Sequence, residues 1–469
     1  MKTNITQFYR PAPRKPGVAA YAKALVILST LSLAAGLVLS TALVFEGSAQ
    51  ARTCAVANGD AQRVVDVGTT NASGIVTSAS GKFVVGDVGK TVFLRKAGVN
   101  RLAVNTTTIA GFTNATTVTL TANANATDTN VEMVWATGDS TAAINTQVTA
   151  CKSDAASTYH QSGVFVGNIA GTVTLSGGYI VSGCIYDVNK NGQIPSLQGG
   201  GAENTVLFLA PTLTACTDPS TVIYANGYGF SLSGIGLEAG GTTYTTGSAS
   251  AAITVTNATR WQINDVNVLN YGWTGATGAA IRLSGVQYGY SWNVIVQGGG
   301  GPGYLCDISG AASELNTWFC SNSGTRNVRF ASPSGRTPTS SPLLWIAGGA
   351  DECSDPNAWC TVVDTSSEAD IIGAVIFSAL RIEAGAVAYL TNVNIGQFNT
   401  TNRVQAADIA ATGAVFSEQC TWRGTAGGKI LNRGTFTDGL GNVYQTCTGT
   451  SCANIKAGQA FSGNQPVTR

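Results

Sequence analysis

The sequence predicts an all-β chain built around a parallel β-solenoid, and three observations carry that expectation. First, the chain repeats itself: "AAITVTNATRWQINDVNV" from Ala251 aligns with "AAIRLSGVQYGYSWNVIV" from Ala279. Ile253 then falls on Ile281, Val255 on Leu283, Val266 on Val294 and Val268 on Val296. Second, each unit holds two apolar alternations of period two, the second starting 13 residues after the first. Alternation of that period places one side chain in and the next out, which is a strand. Third, no helical stripe separates the units, and two strands per repeat without a helix stack as a coil.

One unit upstream, "VIYANGYGFSLSGIGL" supplies Val222, Tyr224, Ile235 and Leu237 for the same pattern. The spacing recurs from Leu305 to Trp318, from Leu380 to Val393 and from Ala407 to Cys420. The coil is therefore expected to run from about Leu197 to Phe436.

Composition bounds the partners. At 469 residues the chain can bury a large core beside a smaller unit. Its 26 basic and 25 acidic residues leave no field to gather nucleic acid or an anionic membrane. An apolar fraction of 44% excludes a disordered chain.

Residues 1–51 read as a targeting segment. Arg10, Arg14, Lys15 and Lys23 precede an uncharged apolar run from Ala24 to Phe45, and Ser48-Ala49-Gln50-Ala51 offers an A-x-A cleavage site. The run is also long enough to anchor the chain if uncleaved, the one membrane contact expected. Either way the body is exported, to the envelope or the medium.

All eleven cysteines follow Ala51, consistent with an oxidising compartment. Short spacings predict the pairs Cys353–Cys360 and Cys447–Cys452, and Cys306 and Cys320 stand where they can tie neighbouring turns. No C-x-x-C or Cys/His ligand set points to zinc.

Residues 52–136 read as a small β domain, sandwich or barrel-like. Its Thr/Val-rich runs, Val64–Val67, Gly74–Thr77, Thr91–Leu94, Thr116–Thr121 and Val131–Trp135, are broken by Asn and Gly. "GDVGKT" at Gly86–Thr91 is no phosphate loop, because Val84 stands where its first glycine belongs. Residues 137–436 would form the coil, entered by a helix capped at Asp139 or Ser140 with Ala143, Ile144, Val148 and Cys151 on one face. Such a helix would cover the open end of the coil. Residues 437–469 would close the other end.

Gly138-Asp139-Ser140-Thr141-Ala142-Ala143-Ile144, followed by Leu197-x-Gly199-x-Gly201 and Thr205-Val206-Leu207, resembles the entry to pectate-lyase-superfamily parallel β-helices. "FVVGDVGKTVFL" resembles an accessory unit found upstream of such helices. The resemblance covers roughly residues 64–300 and implies a right-handed coil with saccharide ligands along one outer face. The superfold hosts enzymes and structural proteins alike, so it leaves activity open.

Candidate site residues come from the outward positions of the repeat. Gly236, Asn267, Ile295 and Asn394 face out beside Gly234, Asp265, Asn293 and Asn392. On the other strand Ile223, Thr254, Arg282, Cys306 and Arg381 face out. Asp265, Arg282 and Glu238 are the candidates for acid, base or cation roles on a glycan, although Glu238 and Asp265 stand about 13 to 14 Å apart in the repeat. Asn267, Asn293 and Trp273 are the candidate sugar contacts, within a cluster of Trp261, Trp273, Tyr288, Tyr290 and Trp292. An alternative for the Asn column is a ladder of side chains bonded to one another along the stack.

No cofactor is required by the sequence. Calcium is conceivable at Asp187-x-Asn189-x-Asn191-Gly192, although Gln198 replaces the bidentate Glu and an Asn-Gly turn explains the run equally well. The acids Asp351, Glu352, Asp355, Asp364, Glu368 and Asp370 read as a solvated loop. His160, the one histidine, follows the cap helix, which removes Ser/His and Cys/His triads and the polygalacturonase motif. The expected function is binding, and in one reading cleaving, a polysaccharide by lyase or hydrolase chemistry. The alternatives are a non-catalytic adhesin or structural envelope protein and a tailspike-like fibre, against which the export signal argues.

Overall fold

The computed structural model describes residues 52–152 and most of 170–297 and 361–448. Within 153–169, 298–360 and 449–469 it describes short strand segments. The targeting segment 1–51, the side chains of Cys353 and Trp273, and residues Cys360 and His160 lie outside the described residues. Among the described residues no helix is long and apolar enough to cross a membrane.

The chain is mostly β, and its body is two long, largely parallel sheets that it visits in turn. The first sheet runs through Thr53–Ala55, Thr172–Thr174, Ser196–Gln198, Ser231–Glu238, Gln262–Leu269, Tyr290–Gln297 and Glu314–Asn322. It continues through Leu343–Ile346, Glu368–Ile372, Val387–Thr391, Ala414–Glu418 and Thr435–Asp438. Among the described residues the second sheet has eleven strands, from Tyr186–Gln193 through Thr221–Tyr228, Ala251–Thr259 and Ala279–Ser284 to Phe461–Ser462. Each repeat supplies both sheets, as two strands per unit require.

Register follows the buried alternation. Ile235, Val266 and Val294 form one column, and Leu237, Val268 and Val296 the next, all buried. Ile253 over Ile281 and Val255 over Leu283 do the same on the second sheet. Burying each such side chain contributes about 1.5–3 kcal/mol, and slipping a strand by one residue would turn the whole set outward.

Two repeats depart from the 13-residue spacing. Ile223 and Ala225, not Val222 and Tyr224, lie over Ile253 and Val255, so Ile223 faces in. Cys306, not Leu305, pairs with Leu283, and Val296 pairs with Cys320. Irregular pairing after Asn226 and around Val294 absorbs the missing or extra residue. Spacing read from sequence cannot see such a shift, because apolar residues flank the correct position on both sides.

The parallel stack is also longer than expected. Thr53–Ala55 and Gly59–Asp60 pair in parallel with Thr172–Thr174 and Gly177–Gly178, so these residues belong to the stack and not to the small β unit. At the far end Val443–Thr448 still pairs in parallel with Thr421–Thr425 before turning back into Ser451–Ile455. Cys447 and Cys452 stand opposite one another in that hairpin; their side chains lie outside the described residues. The Asp187–Gly192 run lies within strand Tyr186–Gln193, with a register shift after Asn189, and is neither a calcium-type loop nor a turn between strands. Asn189 there accepts a hydrogen bond from Asn226 (3.0 Å).

Helix Thr141–Ala150 begins where Asp139, not Ser140, accepts the Thr141 N–H and hydroxyl (2.9 and 2.6 Å). Ile144 and Val148 enter the core of the stack, while Ala143 faces out. Two disulfides that spacing did not reveal are formed here: Cys54–Cys151 fastens the first strand to the helix, and Cys184–Cys216 ties adjacent repeats. Their partners lie 97 and 32 residues apart in sequence, beyond the reach of a local-spacing argument. Cys420 is a buried free thiol, and burial pushes its pKa up.

Gln62–Thr69, Ile75–Ser78, Thr91–Lys96, Thr107–Asn114, Thr117–Leu120 and Asp128–Ala136 close into an antiparallel barrel, with Val99–Asn100 paired outside the ring. It seats on the stack through Phe93, Val134, Ala136, Ile180, Phe208 and Ala210. Beside them the fully buried Arg95 donates to Glu132 (2.6 and 3.0 Å), to the Leu209 carbonyl (2.6 Å) and to the Glu238 carbonyl (3.4 Å). Burial opposes the charge on Glu132, but Arg95 and then Arg63 outweigh it and hold the carboxyl below its ordinary pKa.

Removing Arg95 would leave Glu132 to the half-exposed Arg63 alone and take a donor from the Leu209 and Glu238 carbonyls. Arg95→Ala should therefore destabilise the protein by about 3–5 kcal/mol in denaturant titration; a loss under 1 kcal/mol would show that this contact does not hold the barrel in place. Peptide mapping without reduction should recover the Cys54–Cys151 and Cys184–Cys216 cross-links, and recovery of free thiols at all four positions would exclude them.

Candidate functional site

Strands of the first sheet bend, and the residue at the bend has left-handed backbone. Gly234, Asp265 and Asn293 occupy it in consecutive repeats with φ of 65°, 52° and 50°. Gly373, Asn392 and Gln419 occupy it later, with φ of 67°, 54° and 53°. Gly, Asn and Asp adopt this conformation at least cost, which explains their recurrence in the sequence. Asp265 accepts hydrogen bonds from the Ala202 N–H (3.2 Å) and from the Asn293 side-chain amide (3.0 Å). Asp265 and Asn293 are thus bonded to each other and to the backbone at the bend. Gly199 belongs to the same construction, since a Cβ there would lie 2.1 Å from the Gly234 carbonyl oxygen.

The other expected residues are dispersed. Glu238 is buried, accepts from the Gly240 N–H (2.8 Å) and the Asn270 amide (3.1 Å), and lies 4.0 Å from Arg95. Its carboxylate serves the seat of the barrel. Arg282 stands on the second sheet, paired in register with Thr254 and Leu305, away from the bend that holds Asp265. Asn267 is half-buried between Gly236 and Ile295. Trp273 pairs through its backbone with Tyr244. The structure therefore does not gather Asp265, Arg282 and Glu238 into one site. Trp261 is buried core as well.

A different constellation is gathered on the outward face just before the bend. Ser231, Gln262, Tyr290, Asp370, Tyr389 and Phe416 each stand three residues ahead of a bend, in one register column that also links Glu314, Leu344 and Thr437. Tyr389 and Phe416 stack nearly parallel, with ring centres 5.0 Å apart and planes at 13°. Both remain exposed, at 40% and 38%. Asp370 is the register partner of Tyr389, and Glu368, two residues back on the same strand, faces the same side with Ala369 buried between them.

Glu368 and Asp370 are half-buried. Burial, then the charge of Asp370, raises the pKa of Glu368, and burial raises that of Asp370. Glu368 Oε2 is closed off from solvent, and no hydrogen bond reaches it among the described residues. The Tyr389 hydroxyl is raised by burial and by both carboxylates. Residues i and i+2 on a strand are about 6.6 Å apart along the backbone, on the same face. The sequence reading placed these two acids in a solvated loop. The alternation in "EADII" marked a strand with its acids outward, but nothing in the sequence showed which rings stood beside them.

The second sheet carries an ionic ladder instead. Arg381 pairs with Glu383 (3.0 Å) and Asp408 (2.7 Å), and Arg433 pairs with Asp408 (2.6 Å). These groups satisfy one another.

A carboxyl whose folded pKa lies above its unfolded value stabilises the fold below the unfolded pKa, and that contribution is lost as pH rises through the folded value. Glu368→Gln stays neutral throughout. Its melting temperature should gain on that of wild type as the pH is raised from below 4.5 to neutrality. A constant difference across that window would show that Glu368 titrates as an ordinary surface acid.

No family model and no curated protein sequence matches this chain. Among solved structures it is similar to ORF18 of Geobacillus virus E2, at 14% identity and a TM-score of 0.36, covering 66% of this chain. The chain spans 58% of that protein's length. It is also similar to the catalytic unit of a GH87 alpha-1,3-glucanase from Streptomyces thermodiastaticus strain HF3-3. There the identity is 16% and the TM-score 0.33, over 81% of this chain and 88% of the other. The Gp54 tailspike of Acinetobacter baumannii bacteriophage AP22, solved with a capsular saccharide, gives 9% and 0.14 over 83% and 67%.

Proposed function

We propose that this chain binds a polysaccharide on the outward face of its first sheet and hydrolyses it there. In this reading the two sheets belong to a right-handed, closed parallel β-helix, and the protein is exported. The observation that carries the proposal is the placement of Glu368 and Asp370 beside the exposed, stacked Tyr389 and Phe416. Stacked rings offer an apolar face to the C–H side of a sugar ring. Two carboxyl groups beside such a face supply the acid and base that cleavage of a glycosidic bond needs.

Roles follow from the environments. Glu368 is assigned the proton: burial and the Asp370 carboxylate both raise its pKa, whereas burial alone raises that of Asp370. It donates that proton to the glycosidic oxygen as the bond to the anomeric carbon breaks. Asp370, assigned as the base, takes a proton from the water that attacks the same carbon. No uronate-specific group is needed.

The test is affinity electrophoresis through neutral and uronic polysaccharides, with a parallel assay for new reducing ends. A neutral polysaccharide should retard the wild type, and Tyr389→Ala should weaken retention about tenfold. Glu368→Gln should bind normally but release reducing ends at least about a hundredfold more slowly. Retention without new reducing ends would leave a binding surface and remove the hydrolysis. Absence of retention by every polysaccharide would overturn the proposal.

A further inference from the structure

The column that carries Tyr389 and Phe416 also carries Tyr290, which with Trp292 beside it the proposed chemistry does not use. Tyr290 lies in the same column, four register steps before Tyr389 through Glu314, Leu344 and Asp370. Trp292 stands two residues on along the same strand, with Ser291 buried between them. Tyr290 is 39% exposed and Trp292 59%, so both rings face solvent. A buried core gains nothing from large apolar rings placed outward, and isolated exposed rings would not need register with a second pair.

We infer that Tyr290 and Trp292 form a second glycan platform, and that one uncharged glycan chain lies along the stack, touching both platforms and crossing the carboxylates. This rests on the hydrolytic reading of the preceding section and adds the direction, reach and charge class of the ligand. Four steps of about 4.8 Å separate Tyr290 from Tyr389, roughly 19 Å, which an extended oligosaccharide spans and a disaccharide does not.

The neighbours of the second platform favour hydroxyl groups over charge. Gln262 pairs in register with Tyr290 and Asn264 with Trp292, and Ser231 and Ser233 lie one step beyond. Among the described residues no hydrogen bond reaches the Asn264 side-chain oxygen. The described side chains of this face, in the columns of Tyr290 and Trp292 and in that of Glu368, include the acids Glu368, Asp370 and Glu418 and no Lys or Arg. Beside Glu368, Asp370 and Glu418 a polyuronate would meet like charge.

Titration calorimetry on the full chain is the test, with neutral gluco-oligosaccharides in α-1,3, β-1,3 and β-1,4 linkage, from disaccharide to octasaccharide. In wild type, affinity within the bound series should climb about tenfold once the chain is long enough to reach both platforms. Tyr290→Ala with Trp292→Ala should abolish that climb and leave the affinity of short oligosaccharides unchanged. Trp292→Phe, which keeps a stacking face, should retain it. A climb that persists in the double variant overturns the second platform while leaving the hydrolytic reading intact. Tighter binding of oligogalacturonate than of every neutral series overturns the charge class. Failure of all series to bind, short ones included, overturns both readings together.

Discussion

Each repeat is held to the next by parallel backbone pairing laid over columns of buried aliphatic side chains. Ile235, Val266 and Val294 stand in register because any slip of one residue would expose an entire column. Everything on the outer face inherits that register. Tyr389 meets Phe416, and Asp370 meets Tyr389, because Ala388, Leu390 and Ile371 beside them are buried in matched columns. The same constraint carries Tyr290 into the column of Asp370, although the two are 80 residues apart in sequence.

Bends in the first sheet set where the outer face ends. A left-handed residue at each bend turns the strand, and the cost of that conformation is smallest for Gly, Asn and Asp. Asp265 and Asn293 are thereby committed to the backbone and to each other. Their polarity and repetition look like a ligand site in sequence, yet the same features are what a repeated bend demands. Acids three and five residues ahead of the bend are under no such demand. Glu368 and Asp370 are half-buried without an Arg or Lys partner among the described residues, which is costly unless it serves a purpose.

The two classes of buried charge in the molecule contrast in this respect. Arg95 and Glu132 are paired and extensively hydrogen-bonded, and they join the barrel to the stack. Their pairing lowers the pKa of Glu132, as expected for a structural ion pair. The carboxyls of Glu368 and Asp370 shift the other way. That difference in sign separates a carboxylate recruited for stability from carboxyls whose charge is opposed beside an aromatic surface.

The sequence by itself determined the β class, two strands per repeat, the inward columns from Ile235 to Val296 and the helix at Thr141–Ala150, because alternation, spacing and capping are local properties. It also marked Gly234, Asp265, Asn293 and Asn392 as a special column, though not as bends. Only the tertiary structure decided the rest. The repeats containing Ile223 and Cys306 shift by one residue, and a pattern with apolar residues on both sides cannot register such a shift. Cys54–Cys151 joins positions 97 residues apart, which no loop spacing could reveal. Glu238 and Asp265 were the acids nearest each other on the regular repeats, but the barrel covers the first and the bend consumes the second. Glu368, Asp370, Tyr389 and Phe416 come from three successive strands of the stack, and their meeting depends on the stacking register, which is a property of the packed core and not of any one segment.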